Sequence, residues 1–126
     1  MADFVVRRWD LTPYPGDMAP PHIHHKGDEA FCVIEGALEV LVGDRRQRLG
    51  PGDHVVVPAG TIHTFATVDD QPARVMVVMT PQIDALVQAL HSPDAGAWDD
   101  IWERHDSELV WGDGRSAAAE PRGPAQ

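Results

Sequence analysis

"PPHIHHKGDEAFCVIEG", residues 20–36, packs three histidines into four positions and sets a glutamate a short way ahead of an apolar run. In an extended chain successive side chains point to opposite faces, so His22 and His24 share one face while Ile23 and His25 share the other. Two imidazoles then point the same way, and His25 points outward. Glu29 opens the next apolar segment, and the same alternation puts it on a face with Phe31 and Val33. If the two segments are neighbouring strands, the turn in "HKGD" brings that carboxylate beside the imidazole pair. A fourth group, His63 in "PAGTIHTFAT", shares a face with Thr61, Phe65 and Thr67.

Around this stretch, residues 4–80 form short apolar segments separated by Gly, Pro and Asp, the punctuation of an all-β sandwich or barrel. "FVVRRW" is a first strand, and "LTPYPGDMAPP" is a loop, because proline has no amide hydrogen for a central ladder. "EAFCVIEG" and "ALEVLV" follow. Gly43 and Asp44 then make a two-residue hairpin turn into "RRQRL", with Gly first as a type II′ turn prefers. "HVVV", "TIHTFATV" and "ARVMVVM" complete the strands, set off by "GPGD", "PAG" and "DDQP". The period changes at Thr80, which can cap a helix. Pro81 suits the first helical position, and Ile83, Leu86, Val87 and Leu90 recur at helical spacing. Trp98, Ile101, Trp102 and His105 repeat that spacing in a second helix, where the tryptophans are expected to pack rather than to cage a ligand. "LVW", residues 109–111, is a short last strand. The expected organisation is a β-barrel over residues 1–80, helices packed on it over 81–111, and a disordered tail over 112–126, which is small, polar and proline-bearing.

A chain of 126 residues suits a single domain. Its formal charge of -10 and pI near 4.9 repel phosphate backbones and anionic headgroups, which argues against nucleic-acid and membrane partners. Cys32 is the lone cysteine, so no intramolecular disulfide is available. "MADFVVRRWD" lacks the apolar region of a secretory signal, and a cytoplasmic location is expected. No apolar run approaches the roughly 20 residues of a membrane span. The first strand has an open edge that can pair with a partner's sheet, so a homodimer is expected.

Neutral imidazole nitrogens and a carboxylate are the ligand types that bind Fe, Mn, Co, Ni, Cu or Zn. His22, His24, Glu29 and His63 would hold one such divalent ion and leave one or two positions open for a substrate. The spacing carries a resemblance. From Gly16 the chain reads G-x5-H-x-H-x4-E-x6-G, with Gly16, His22, His24, Glu29 and Gly36 in register, and this resembles the first motif of the cupin superfamily. From Gly52 it reads G-x5-P-x-G-x2-H, with Gly52, Pro58, Gly60 and His63 in register, which resembles the second cupin motif. That motif usually closes with Asn where Thr67 stands here, a position that supports the site without ligating the metal.

The finer wording, including the C-terminal "WERHDSELV", is similar to small single-domain cupins of the quercetin 2,3-dioxygenase kind. The resemblance implies an antiparallel jelly-roll barrel with a short C-terminal helical extension. It also implies a metal-dependent, dioxygenase-like enzyme for a small aromatic or enolisable substrate, with Glu29 as proton acceptor. Isomerase, cyclase, decarboxylase or lyase chemistry, and binding without turnover, use the same residues. From alternation, the pocket is expected to be lined by Phe31, Val33, Leu38, Val40, Phe65 and Met76 or Val77. Tyr14 is a candidate for the barrel mouth. His54 is expected to be a surface or packing residue, His91 and His105 to be structural, and Cys32 to face away from the metal.

Overall fold

A computed structural model describes residues 3–92 and 96–110, so the tail expected over 112–126 lies outside the described residues. Strict alternation shapes the strands. β3 (Glu29–Glu35) buries Glu29, Phe31 and Val33 while Ala30 and Cys32 are half-buried on the other face. β8 (Ala73–Met79) buries Ala73, Val75, Val77 and Met79 in the same way. These two strands pair antiparallel at the centre of a four-stranded sheet in the order β1-β8-β3-β6, with β1 (Val5–Leu11) and β6 (His54–Val57) at its edges. The second sheet runs β5-β4-β7-β2-β9, from β2 (His22–His24), β4 (Leu38–Val42), β5 (Arg45–Leu49), β7 (His63–Thr67) and β9 (Ser107–Leu109). β4 and β5 are joined by the expected turn, in which Gly43 takes φ 65 while Asp44 stays out of the left-handed region.

The fold class is the expected all-β jelly roll, but the barrel is not closed: two antiparallel sheets face each other as a sandwich. This corrects the route by which Glu29 arrives. β2 and β3 lie in different sheets, so residues 25–28 cross the sandwich, and Glu29 reaches the imidazoles from the opposite face rather than from a neighbouring strand. Gly27 makes the crossing possible, since a Cβ there would lie 2.8 Å from Cγ2 of Thr80.

Phe31, Val33, Leu38, Val40 and Val77 are buried as expected, but with Val57, Val75 and Leu49 they form a packed core, not a cavity wall. Each such side chain contributes about 1.5–3 kcal/mol by leaving water. Met76 points outward, which settles the choice between it and Val77.

At the end where β3 begins and β8 stops, Thr80 accepts a hydrogen bond from the amide of Ile83 and starts α1 (Pro81–Leu90). α2 (Trp98–Arg104) packs Ile101 and Trp102 against Leu86. The last strand lies two residues before its expected place, over Ser107–Leu109, and Trp111 is outside the described residues. β9 pairs along β2, with His24 opposite Ser107. No helix among the described residues is long and apolar enough to cross a membrane.

Candidate metal centre

His22, His24 and His63 are buried and turned inward, and their ligand nitrogens lie within 4.8 Å of one another. The pairing of β2 with β7 sets His22 directly opposite His63, while alternation along β2 brings His24 to the same side. From the other sheet, Oε1 of buried Glu29 comes to 3.0 Å from Nε2 of His63 and 3.5 Å from Nε2 of His24. His25 is where alternation puts it, on the outside, with Nε2 3.0 Å from Glu108 and its side chain 46% exposed.

The outer hydrogen bonds fix which nitrogen each ring offers. Nδ1 of His22 lies 2.8 Å from the carbonyl of Pro20, and Nδ1 of His63 lies 3.1 Å from that of Thr61. A carbonyl only accepts, so both Nδ1 atoms carry hydrogen. His24 reaches the same state through one intermediary. Ser107 donates its hydroxyl hydrogen to the carbonyl of His105 at 3.1 Å, which leaves its oxygen to accept from Nδ1 of His24 at 2.7 Å. All three rings therefore turn Nε2, the metal-binding nitrogen of this tautomer, toward a common point.

Burial, then the neighbouring His63 and His24, lower His22 to about 3, so its Nε2 carries a bare lone pair at neutral pH. Burial alone would raise the Glu29 carboxyl, but the hydrogen bonds and positive charge that His24 and His63 offer when their Nε2 atoms also carry a proton outweigh it and hold the group at about 2. A carboxylate 3.0 Å from Nε2 of His63 needs a proton or a cation to hold it there. Metal bonds of about 2.0–2.2 Å meeting at 90–110° put neighbouring ligand atoms about 3–3.5 Å apart, which the 3.0 and 3.5 Å separations of Glu29 from His63 and His24 match.

Above these residues opens a cavity of about 660 Å3, with His22, His24 and Glu29 in its wall. Trp9, Leu11, Met18, Phe65, Leu86, Leu90 and Trp102 give it an apolar and aromatic lining, and Gln88 and His91 add polar groups from α1. Of the residues expected to line the pocket, only Phe65 does so. Trp102 packs as expected but also belongs to the site: its ring centroid is 4.9 Å from that of His22, and the ring stacks on His24 at 6.3 Å. Tyr14 does not reach this cavity; its backbone is tied to the Thr67 hydroxyl, which takes the place of the usual Asn. His54 is exposed as expected.

Ser107 gave no signal in the sequence. Its role comes from the β2–β9 register, which links residues 83 positions apart. Ser107→Ala is expected to weaken divalent-metal binding by roughly 10–100-fold in a competition titration, because His24 then loses the partner that fixes its tautomer. Ser107→Thr keeps the hydroxyl and should recover most of the loss.

Residues 10–79 match the family described as "Cupin domain". Quercetin 2,3-dioxygenase of Bacillus subtilis is 30% identical over 83 residues, which cover 66% of this chain and 25% of that protein. The chain thus spans only a quarter of that relative's length. Among solved structures, a sugar phosphate isomerase from Silicibacter pomeroyi aligns with TM-score 0.55 and 33% identity, over 64% of this chain and 52% of the other. The polyketide cyclase RemF of Streptomyces resistomycificus aligns with TM-score 0.54 and 30% identity, over 64% and 56%.

Proposed function

The chain belongs to the cupin family, and on that premise we propose that it is a metal-dependent enzyme for a small aromatic or enolisable substrate, acting as a dioxygenase of the quercetinase type. The observation that carries this reading is the convergence of three Nε2 atoms and the Glu29 carboxylate at the wall of an open, aromatic-lined cavity. His22, His24 and His63 would hold one divalent ion of the Fe, Mn, Ni, Co, Cu or Zn group, with Glu29 as fourth ligand or immediate neighbour. The bound ion supplies Lewis acidity that lowers the pKa of an enol or phenol oxygen. Glu29 is the group placed to accept the proton that this oxygen releases. Trp9, Phe65 and Trp102 offer flat faces to a planar ring, and Leu86 and Leu90 exclude water around it.

The cavity lining also favours one substrate class over another. It contains no Lys or Arg among the described residues, so a phosphate group away from the metal would find no Lys or Arg partner there, and a neutral planar substrate is preferred to a sugar phosphate.

Metal-loaded protein given a flavonol under air is the test. The expected result is O2 uptake matched to ring cleavage, with both oxygen atoms in the product. Conversion without O2 uptake would instead assign isomerase, cyclase or lyase chemistry, and tight binding with no product would make the protein a binder.

A further inference from the structure

We propose that Gln88 and His91, at the C-terminal end of α1, form a subsite at the cavity mouth that reads a hydroxyl group on the end of the substrate remote from the metal. The inference rests on the reading of the cavity as the seat of a planar enol or phenol, and adds what selects among such molecules.

The polar side chains of the cavity wall fall into two groups. His22, His24 and Glu29 are buried and form its inner end, whereas Gln88 and His91 are exposed and border its open end. Between the two ends the wall is apolar, from Trp9, Leu11, Phe65, Leu86 and Trp102. Asp10 also borders the cavity, but alternation along β1 turns its carboxylate to the opposite face from Trp9 and Leu11, where Arg74 at 2.9 Å and Arg8 at 3.6 Å hold it. The polar chemistry of the mouth is thus left to α1. A volume of about 660 Å3 lies within the roughly 300–1,000 Å3 of sites that take drug-sized ligands, so one molecule can reach both ends.

Both side chains are held so that an acceptor atom is left over. Nδ1 of His91 lies 2.8 Å from the carbonyl of Val87, so it carries the hydrogen, and in the neutral ring Nε2 keeps a bare lone pair. Gln88 is positioned through Asp84, one turn earlier. Arg7 grips that carboxylate with two hydrogen bonds of 2.9 Å, which also pin α1 to β1. Hydrogen bonding to Arg7 holds the Asp84 carboxyl below its usual range against the effect of burial, and a hydrogen bond from Gln88 adds to this. A carboxylate only accepts, so Gln88 gives it the amide N–H, and repulsion between the oxygens turns Oε1 away. Residues three apart are neighbours on a helix surface, so the two acceptors lie side by side. Two acceptors with no Lys or Arg in the wall select an uncharged hydrogen-bond donor, which is a hydroxyl. A carboxylate or phosphate would meet lone pairs there, and a methyl ether has no hydrogen to give.

Equilibrium binding to the zinc-loaded full chain tests this, because Zn2+ has no redox chemistry and turnover with O2 does not intrude. Three ligands are compared at about pH 8, where an ordinary imidazole is neutral: a flavonol with a hydroxyl on the ring remote from its enol, its methyl ether at that hydroxyl, and the flavonol without the group. Quenching of tryptophan fluorescence reads binding, since Trp9 and Trp102 line the cavity. The hydroxylated flavonol is expected to bind roughly tenfold more tightly than either of the others, the upper end of what one hydrogen bond contributes. In Gln88→Leu combined with His91→Phe the three affinities should become equal, with circular dichroism to establish folding. If the double variant fails to fold, each single substitution should remove part of the preference. Equal binding of the hydroxylated and unsubstituted flavonols by the native chain would overturn the subsite alone, as would a preference that survives in the folded variants. No binding of any of the three would overturn the reading of the cavity and the subsite with it.

Discussion

Replacing His24 by Ala is expected to cost a hundredfold or more in divalent-metal affinity, while His25→Ala changes it by less than about twofold. The two residues are adjacent, so the contrast isolates side-chain direction from everything else about this stretch. His24 turns inward, packs 4.9 Å from the His63 ring and presents Nε2 beside Glu29; His25 turns outward onto Glu108. Outer-shell changes at metal sites already cost about 10–100-fold, and removing a ligand outright should exceed that. His22→Ala and His63→Ala should behave like His24→Ala, because the same point loses one of three nitrogens in each case. Equilibrium dialysis followed by elemental analysis reads all four variants, with circular dichroism to establish that each is folded. Metal loss in His25→Ala with retention in His24→Ala would reverse the assignment.

Glu29→Gln is expected to lower turnover by about 10²–10⁴-fold, the usual worth of a positioned general base, while the protein still binds one metal ion. The substitution keeps the shape of a side chain that is 4% exposed and removes its charge and its ability to accept a proton in the reaction. In the native site that charge is maintained by His24 and His63 against the opposing effect of burial. The amide of Gln would remain beside the same imidazoles but could not take the proton from a substrate hydroxyl. Comparing kcat per bound metal, rather than per chain, separates this effect from any loss of affinity. Equal kcat per metal in the two proteins would remove Glu29 from the chemistry and leave it a role in metal retention alone.

Much of the site was legible because it depends on strand alternation, which is local. The side-by-side placement of His22 and His24, the outward turn of His25, the inward turn of His63 and the cap at Thr80 all follow from spacing within one element. What the sequence concealed depends on pairings between distant segments. The crossing at residues 25–28 looks like a hairpin turn until β2 and β3 are seen to join different sheets. The expected pocket lining failed for a related reason: inward alternation marks which side chains face the other sheet, but not whether they meet partners or open space. Phe31, Val33, Leu38 and Val40 met partners and became core, while the cavity formed beneath α1 and α2. Trp102 was legible as a packing residue from its helical stripe, yet its place against His22 and His24 requires the α2–β9 return. Ser107 and Trp102 both lie beyond the family match at residues 10–79, in the C-terminal "WERHDSELV" and outside the two motifs that carry the histidines.

The most direct test of the metal centre is anomalous diffraction at the zinc edge from crystals of the protein grown with Zn2+. Three converging Nε2 atoms require a single peak about 2.0–2.1 Å from each of His22, His24 and His63, on the side facing Glu29. A peak bonded through Nδ1, a peak at His25, or no peak between the two sheets would contradict it.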